Sequence, residues 1–232
     1  MKAKCTPSSR PSQSGFTLIE IAIVLVIIGL LLGGVLKGQE LIEQSKIKRV
    51  VNDFENMTAA IYTYQDRYRF LPGDDPNAAA RWTTAVAGAA ATSGNGGGSL
   101  APATLAQVLL GGANEAGNAW QHLRASGLVA GDLSTAALSQ TPEKTPFGSN
   151  YGVGLGATAM NFGIVTAFCA SLPAKAAEQL DRQLDDGNPQ TGNIRANAPA
   201  ANFNAPVALA VATTRVYVDT TATPWYTVCR KL

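Results

Sequence analysis

Gly15-Phe16-Thr17-Leu18-Ile19-Glu20 opens the stretch that decides how this chain is built, and Ile21-Ala22-Ile23-Val24-Leu25-Val26-Ile27-Ile28-Gly29-Leu30-Leu31-Leu32-Gly33-Gly34-Val35-Leu36 completes it. Of the 21 residues from Phe16 to Leu36, Glu20 alone is charged. At 1.5 Å rise per residue a helix of that length spans ~30 Å, the thickness of a bilayer's hydrocarbon core. Ahead of it, residues 1–15 carry Lys2, Lys4 and Arg10 and no acid. The positive-inside rule leaves that end in the cytoplasm and sends the remainder across the membrane.

A basic leader and an apolar run also describe an ordinary secretory signal. A cleavable signal, however, has a shorter apolar core and ends in a small-residue site, which Gly33-Gly34-Val35-Leu36-Lys37-Gly38 does not supply. The small residue, Gly15, instead precedes the apolar run. Glu20 argues the same way. An ionised carboxylate in a membrane helix costs on the order of 3 kcal/mol at the centre, and such residues usually have a functional partner.

Gly15-Phe16-Thr17-Leu18-Ile19-Glu20 resembles the processing site of type IV pilins and type II secretion pseudopilins. The resemblance implies cleavage between Gly15 and Phe16 by a prepilin peptidase, and N-methylation of the new terminus at Phe16. It further implies that Glu20 pairs, during assembly, with the Phe16 amine of a neighbouring subunit. In a low-dielectric filament core an unpaired carboxylate is costly, so that pairing sets register. The implied partners are the peptidase, other pilin or pseudopilin subunits, an inner-membrane assembly platform and membrane lipid. The implied localisation is a single pass through the inner membrane with a periplasmic C-terminal domain, followed by incorporation into a pilus or pseudopilus.

Charge follows the same division. Three of the 18 Lys and Arg residues fall in the leader, and none of the 16 Asp and Glu residues does. The mature chain therefore carries fifteen bases against sixteen acids, and no basic surface points to nucleic acid. Of the three cysteines, Cys5 lies in the leader. Cys169 and Cys229 both fall in the exported part, an oxidising compartment, and are expected to form a disulfide. A 61-residue closed loop would contribute about 4 kcal/mol on the chain-entropy account. Such a bridge is similar to the C-terminal disulfide loop of pilins.

Beyond Leu36, Ile47, Val50, Val51, Phe54, Met57, Ile61, Tyr64 and Tyr68 recur at three- and four-residue steps, the stripe of an amphipathic helix. The helix is expected to run from Phe16 to Phe70, ~80 Å. Leu71-Pro72-Gly73-Asp74-Asp75-Pro76-Asn77 ends it. Short helices are expected over 78–82, 102–110 and 114–129, the last burying Trp120, Leu123 and Leu128. Strands are expected over 150–158, 161–170, 207–218 and 224–230, with a helix opened by Pro173 and closed at Asp186-Gly187. The chain thus divides into a leader (1–15), a membrane half (16–36) and an amphipathic half (37–70) of one long helix, and a globular domain (71–232). The fold class is α+β and pilin-like, with the long helix packed on a small antiparallel sheet.

No enzyme is indicated. His122, the only histidine, has neither a metal-ligand pattern nor a triad around it and reads as a packing or surface residue. Neither a G-x-S-x-G elbow nor a phosphate loop occurs. No cofactor is expected, although two acidic turns are calcium candidates: Asp74, Asp75 and Asn77, and Asp185, Asp186 and Asn188. Neither has EF-hand spacing, and such clusters are commonly plain turns. The functional expectation is a structural subunit, a minor pilin or pseudopilin, because a mature length of 217 residues exceeds that of most major pilins. The alternative is a filament-tip module that recognises surfaces, exported protein or DNA through residues 72–145.

Overall fold

The computed structural model describes residues 17–86, 88–100, 105–155, 160, 162–163, 165–197, 216–218 and 225–232. Helix α1 (Leu18–Tyr68) is followed by α2 (Ala78–Arg81), α3 (Leu105–Leu110), α4 (Glu115–Ala125) and α5 (Ala136–Ser139). Then come β1 (Tyr151–Leu155), β2 (Thr166–Pro173), α6 (Ala174–Leu184), β3 (Ile194–Ala196) and β4 (Trp225–Lys231). The chain divides into a unit ending at Gln44 and a unit from Ser45 to Leu232. Within the first, α1 is continuous through Gly29, Gly33, Gly34 and Gly38.

The second unit is α+β. Its sheet has the order β1-β2-β4-β3, every neighbouring pair antiparallel. One face meets α1, whose buried residues Ile47, Val50, Phe54, Met57, Ile61 and Tyr64 are the expected stripe. Phe54 is the hub. Its ring sits 4.8 Å from Phe168 of β2 and 6.3 Å from Tyr151 of β1, both edge-on, the arrangement that ring quadrupoles favour. The Tyr151 hydroxyl donates to Asp53 at 2.6 Å, which fixes the helix over β1. Helix α1 stops at Tyr68 because Arg69 takes φ +63°, a left-handed residue that the helix cannot continue through.

The opposite face is also covered. Val108 and Leu109 of α3 pack with Ala167, Cys169, Cys229 and Met160. Burial on both faces explains why β2 reads as an unbroken small-and-apolar run, without the alternation of a half-wet strand. The approach of α3 depends on Gly152 and Gly154. A Cβ at Gly152 would meet the Val108 carbonyl oxygen at 2.5 Å, and one at Gly154 would meet Val108 Cγ2 at 2.4 Å.

Several expected boundaries shift. The strand expected over 161–170 runs instead from Thr166 to Pro173. The helix opened by Pro173 spans Ala174–Leu184, with Pro173 as its N-cap. Strand β3 and helix α5 have no counterpart in the sequence reading, each being only three or four residues long. The strand expected over 207–218 lies outside the described residues up to 215, and residues 216–218 are not strand.

Cys169 and Cys229 face each other across β2 and β4 and are joined in a disulfide, as the sequence led us to expect.

The glycine contacts predict a specific pattern. Gly152→Ala and Gly154→Ala each lower stability by about 1–3 kcal/mol through overpacking. Trimming the neighbour with Val108→Ala relieves the second far more than the first, because at Gly152 the Val108 backbone carbonyl remains in the way after the side chain is cut back. Urea-unfolding midpoints of the single and double variants check this.

Candidate functional site

At the start of α1, Thr17 and Glu20 form a closed pair. The Glu20 carboxylate accepts from the Thr17 backbone N–H at 2.8 Å and from its hydroxyl at 2.9 Å. In return the Glu20 N–H donates to the Thr17 hydroxyl oxygen at 3.3 Å. This is the reciprocal capping box of a Thr-x-x-Glu sequence, which satisfies donors that a helix start leaves free. It also puts the carboxylate at the positive end of the helix dipole. The sequence reading singled out Glu20 for a partner on another subunit and missed this partner three residues away, although the Thr-x-x-Glu spacing was legible. Gly15 and Phe16 lie outside the described residues.

From Leu18 to Leu36 the helix is apolar on every side and no part of it is covered. Leu18 is 93 % exposed and Leu30 73 % exposed, values otherwise expected of charged residues. The segment is long and apolar enough to cross a membrane, and none of it is buried within the chain. A helix apolar all round has one stable setting, a fully apolar surrounding.

With that geometry in place, the comparisons fall on the same residues. The family described as the prokaryotic N-terminal methylation motif matches residues 10–36. That motif is the hallmark of type IV pilins and pseudopilins, and the chain carries the N-terminal signature of a pilin-like or pseudopilin precursor. The motif belongs to structural proteins and implies processing by a prepilin peptidase and assembly with other pilin subunits. Neither the curated proteins nor the solved structures yield a match.

In the second unit, the remaining candidate residues separate by environment. Asp74 and Asp75 are buried and engaged. Asp74 accepts from the Gly97 and Gly98 N–H groups at 3.0 and 2.7 Å. Asp75 accepts from the Tyr64 hydroxyl at 2.8 Å and the Asn77 N–H at 2.9 Å, and forms an ion pair with Arg81. Burial pushes the Asp75 carboxyl up, but the hydrogen bonds from Arg81, Tyr64 and Asn77 outweigh it and hold the group below its usual range. This doublet already has a cation in Arg81 and serves as a loop anchor. Arg81 in turn lies over the rings of Tyr68 and Trp82, at 4.3 and 5.1 Å.

His122 belongs to the same anchor. It is fully buried on α4, stacked on Tyr64 at 6.1 Å between ring centres. Its Nδ1 accepts from the Gly73 N–H at 2.9 Å and its Nε2 lies 2.6 Å from the Thr92 carbonyl oxygen. A backbone N–H can only donate and a carbonyl can only accept, so the ring is neutral with its proton on Nε2. Burial lowers its pKa from the ordinary 6.5, against the opposing pull of the Thr92 carbonyl and Asp75; Arg81 adds to the lowering. The packing role expected from sequence is thus a precise one. Gly73 is required there: at φ +96°, a Cβ would lie 2.3 Å from the Glu115 carbonyl oxygen.

Asp185 and Asp186 lie just past the end of α6, together with Asp181, which the sequence reading did not include. Asp181 sits one helical turn before Asp185, on the buried side of α6.

The neutral His122 predicts a pH dependence with a definite sign. Below about pH 6.5 the unfolded chain protonates this histidine and the folded chain does not, so its contribution is present above that pH and is lost on acidification. Asp181, held up to about 6, acts oppositely: its folded form gains protons as the pH falls from 6 toward 4. The comparison with His122→Asn isolates the first effect. The stability gap between wild type and variant, measured by urea unfolding, is widest at pH 7.5 and narrows by pH 5; a constant gap contradicts the assignment.

Proposed function

We propose that this chain is a structural subunit, a minor pilin or pseudopilin, that enters a filament of the type IV pilus or type II secretion pseudopilus class through its N-terminal helix. The observation that carries the reading is the methylation motif at 10–36 placed on an uncovered apolar helix with one carboxylate. Cleavage after Gly15 leaves Phe16 as the amino terminus, one residue ahead of the Thr17–Glu20 box. The processed helix stands in the inner membrane with its start at the cytoplasmic side and the unit from Ser45 onward in the periplasm, the orientation that the basic leader supports.

In this reading the Glu20 carboxylate has two successive partners. Alone in the membrane it is held by its own Thr17, which offsets part of the cost of placing a charge near lipid. In the filament the Phe16 ammonium of a neighbour supplies the opposite charge that Thr17 lacks. A charge-assisted hydrogen bond is roughly twice as strong as a neutral one, so assembly favours the exchange. Lipid tails are as apolar as the helix itself, so close helix–helix packing and not transfer from water supplies the rest of the drive, and Glu20 selects the register.

Gly15→Ala is expected to leave the leader attached, and Glu20→Val to be processed normally but to enter filaments far below the wild-type level. Intact-mass measurement of the membrane-extracted protein reads the first, expecting a chain beginning at N-methylated Phe16 in the wild type. Immunoblots of sheared filaments read the second; wild-type incorporation of the Val variant contradicts the register role.

A further inference from the structure

Helix α1, β1, β2 and the turn after α4 surround an open pocket in the unit from Ser45, with a volume of about 190 Å³. Pockets for drug-sized ligands begin at about 300 Å³, so this one has room for a single long side chain or a molecule of that size. Its floor is apolar. Tyr151 and Phe168, buried and stacked at 5.3 Å between ring centres, lie there with the buried Met57. The half-buried Leu128 and Val129 form a wall. Among the described residues, the only charged groups lining the pocket are Asp53 and Glu143, both acids.

Neither acid has a close cation. Asp53 uses one oxygen, Oδ2, to accept from the Tyr151 hydroxyl at 2.6 Å. Arg49 approaches that same oxygen only to 3.8 Å, and its side chain is 70 % exposed, so the pair is weak. The Glu143 carbonyl accepts from the Tyr151 N–H at 2.8 Å, but its carboxylate makes no hydrogen bond or ion pair among the described residues. Arg124 feels the Glu143 charge, yet its guanidinium donates to the Leu138 and Ser139 carbonyls instead. Burial first, then the bond to Asp53 and the charge of that group, push the Tyr151 hydroxyl above its ordinary 10; Arg49 opposes the rise and Glu143 adds to it. The hydroxyl therefore lies in the field of both acids.

We propose that this pocket binds an aliphatic ammonium group of the length of a lysine side chain. The stem, about four methylenes, lies on Met57, Val129 and the two rings. The charged head meets the second Asp53 oxygen and the Glu143 carboxylate. An ammonium is a compact charge with three rotatable donors, so it can bond acceptors on two separate side chains at once. Low-dielectric walls focus the field of the two acids on the pocket, which favours a cation over an uncharged chain of the same length. The chemistry has two sources, a lysine of another polypeptide and a free alkylamine. The site lies within one unit and does not depend on whether the chain polymerises.

The test is an NMR titration of the full-length, detergent-solubilised chain with isotope-labelled methionine methyl groups. Pentylammonium chloride, pentanol and N-acetyl-lysine methylamide are the probes. Met57 reports the pocket, and Met160, in the separate buried cluster with Val108 and the disulfide, reports non-specific effects. We expect millimolar pentylammonium to shift the Met57 methyl resonance saturably and to leave that of Met160 in place. Pentanol binds at least tenfold more weakly, and raised NaCl weakens binding of the ammonium but not of the alcohol. Glu143→Gln weakens ammonium binding at least fivefold and leaves Tm unchanged, because the wild-type carboxylate holds nothing else in place. Binding of the capped lysine as tightly as pentylammonium assigns the pocket to a lysine of a polypeptide; its failure where pentylammonium binds assigns it to a free amine. Absence of any Met57 shift at tens of millimolar, equal affinity for pentanol, parallel shifts of Met57 and Met160, or an undiminished response in Glu143→Gln overturns the site.

Discussion

Between Leu18 and Leu36, helix α1 presents leucine, isoleucine and valine side chains on all sides, and nothing in the chain covers them. Apolar surface is driven out of water in proportion to its area, so a segment of this kind is stable only where lipid or like helices surround it. That requirement connects features that otherwise look unrelated. The one carboxylate sits in the first turn, where a capping partner and the helix dipole both favour it, and not in the middle where neither is present. The four glycines in and just after the segment leave open space where a Cβ would be, so their small size serves no contact within the chain. Small residues on an uncovered helix face permit close approach by another helix.

The same helix changes its manner of burial further along. Past Ser45 the apolar residues retreat to a stripe, with Phe54 at its centre, and the wet side takes charges such as Lys48, Arg49 and Glu55. The stripe was legible because a 3.6-residue period sustained over about six turns marks a helix buried along one side. The membrane-like half was legible for the opposite reason, the lack of any period in a run of one chemical kind. Cys169 and Cys229 were legible because only two exported cysteines exist to pair. All three signals are properties of residues near one another in sequence or few enough to leave no choice.

What sequence did not reveal depends on contacts between distant segments. β2 was placed too early because Thr166 to Pro173 is buried on both faces, so its residue types carry no alternation to mark its ends. β3 is three residues long and exists as a strand only because β4 pairs with it. His122 looked like an isolated side chain, yet its two nitrogens are matched to a donor at Gly73 and an acceptor at Thr92, both from the loops around α4. Gln121, beside it, likewise accepts from the Thr92 N–H at 2.6 Å and donates to the Ser139 hydroxyl at 2.8 Å. Such a helix has no dry face and wet face to read. α4 is buried from Glu115 to Arg124, and its polar side chains fasten the loops that wrap it. Asp181 was overlooked for a related reason: its helical spacing marks it as one more surface acid, and burial alone sets it apart.

The order of strands adds a constraint on how the second unit is completed. β4, the last strand among the described residues, lies between β2 and β3 and not at an edge. Without residues 225–231, β2 has a partner on one side only and β3 has none among the described residues, so two of the sheet's three pairings wait for β4. Pairings of such sequence separation are costly to close and form late. The disulfide shares this dependence, since Cys229 is on that final strand directly opposite Cys169. Once formed, it locks the strand whose insertion finishes the sheet, at the position where unpairing would expose both central strands. The covalent bond therefore protects a pairing between segments far apart in sequence, while the helix stripe meets β2 directly through Phe54 and Phe168 and shares one buried cluster with Tyr226 and Val228 of β4.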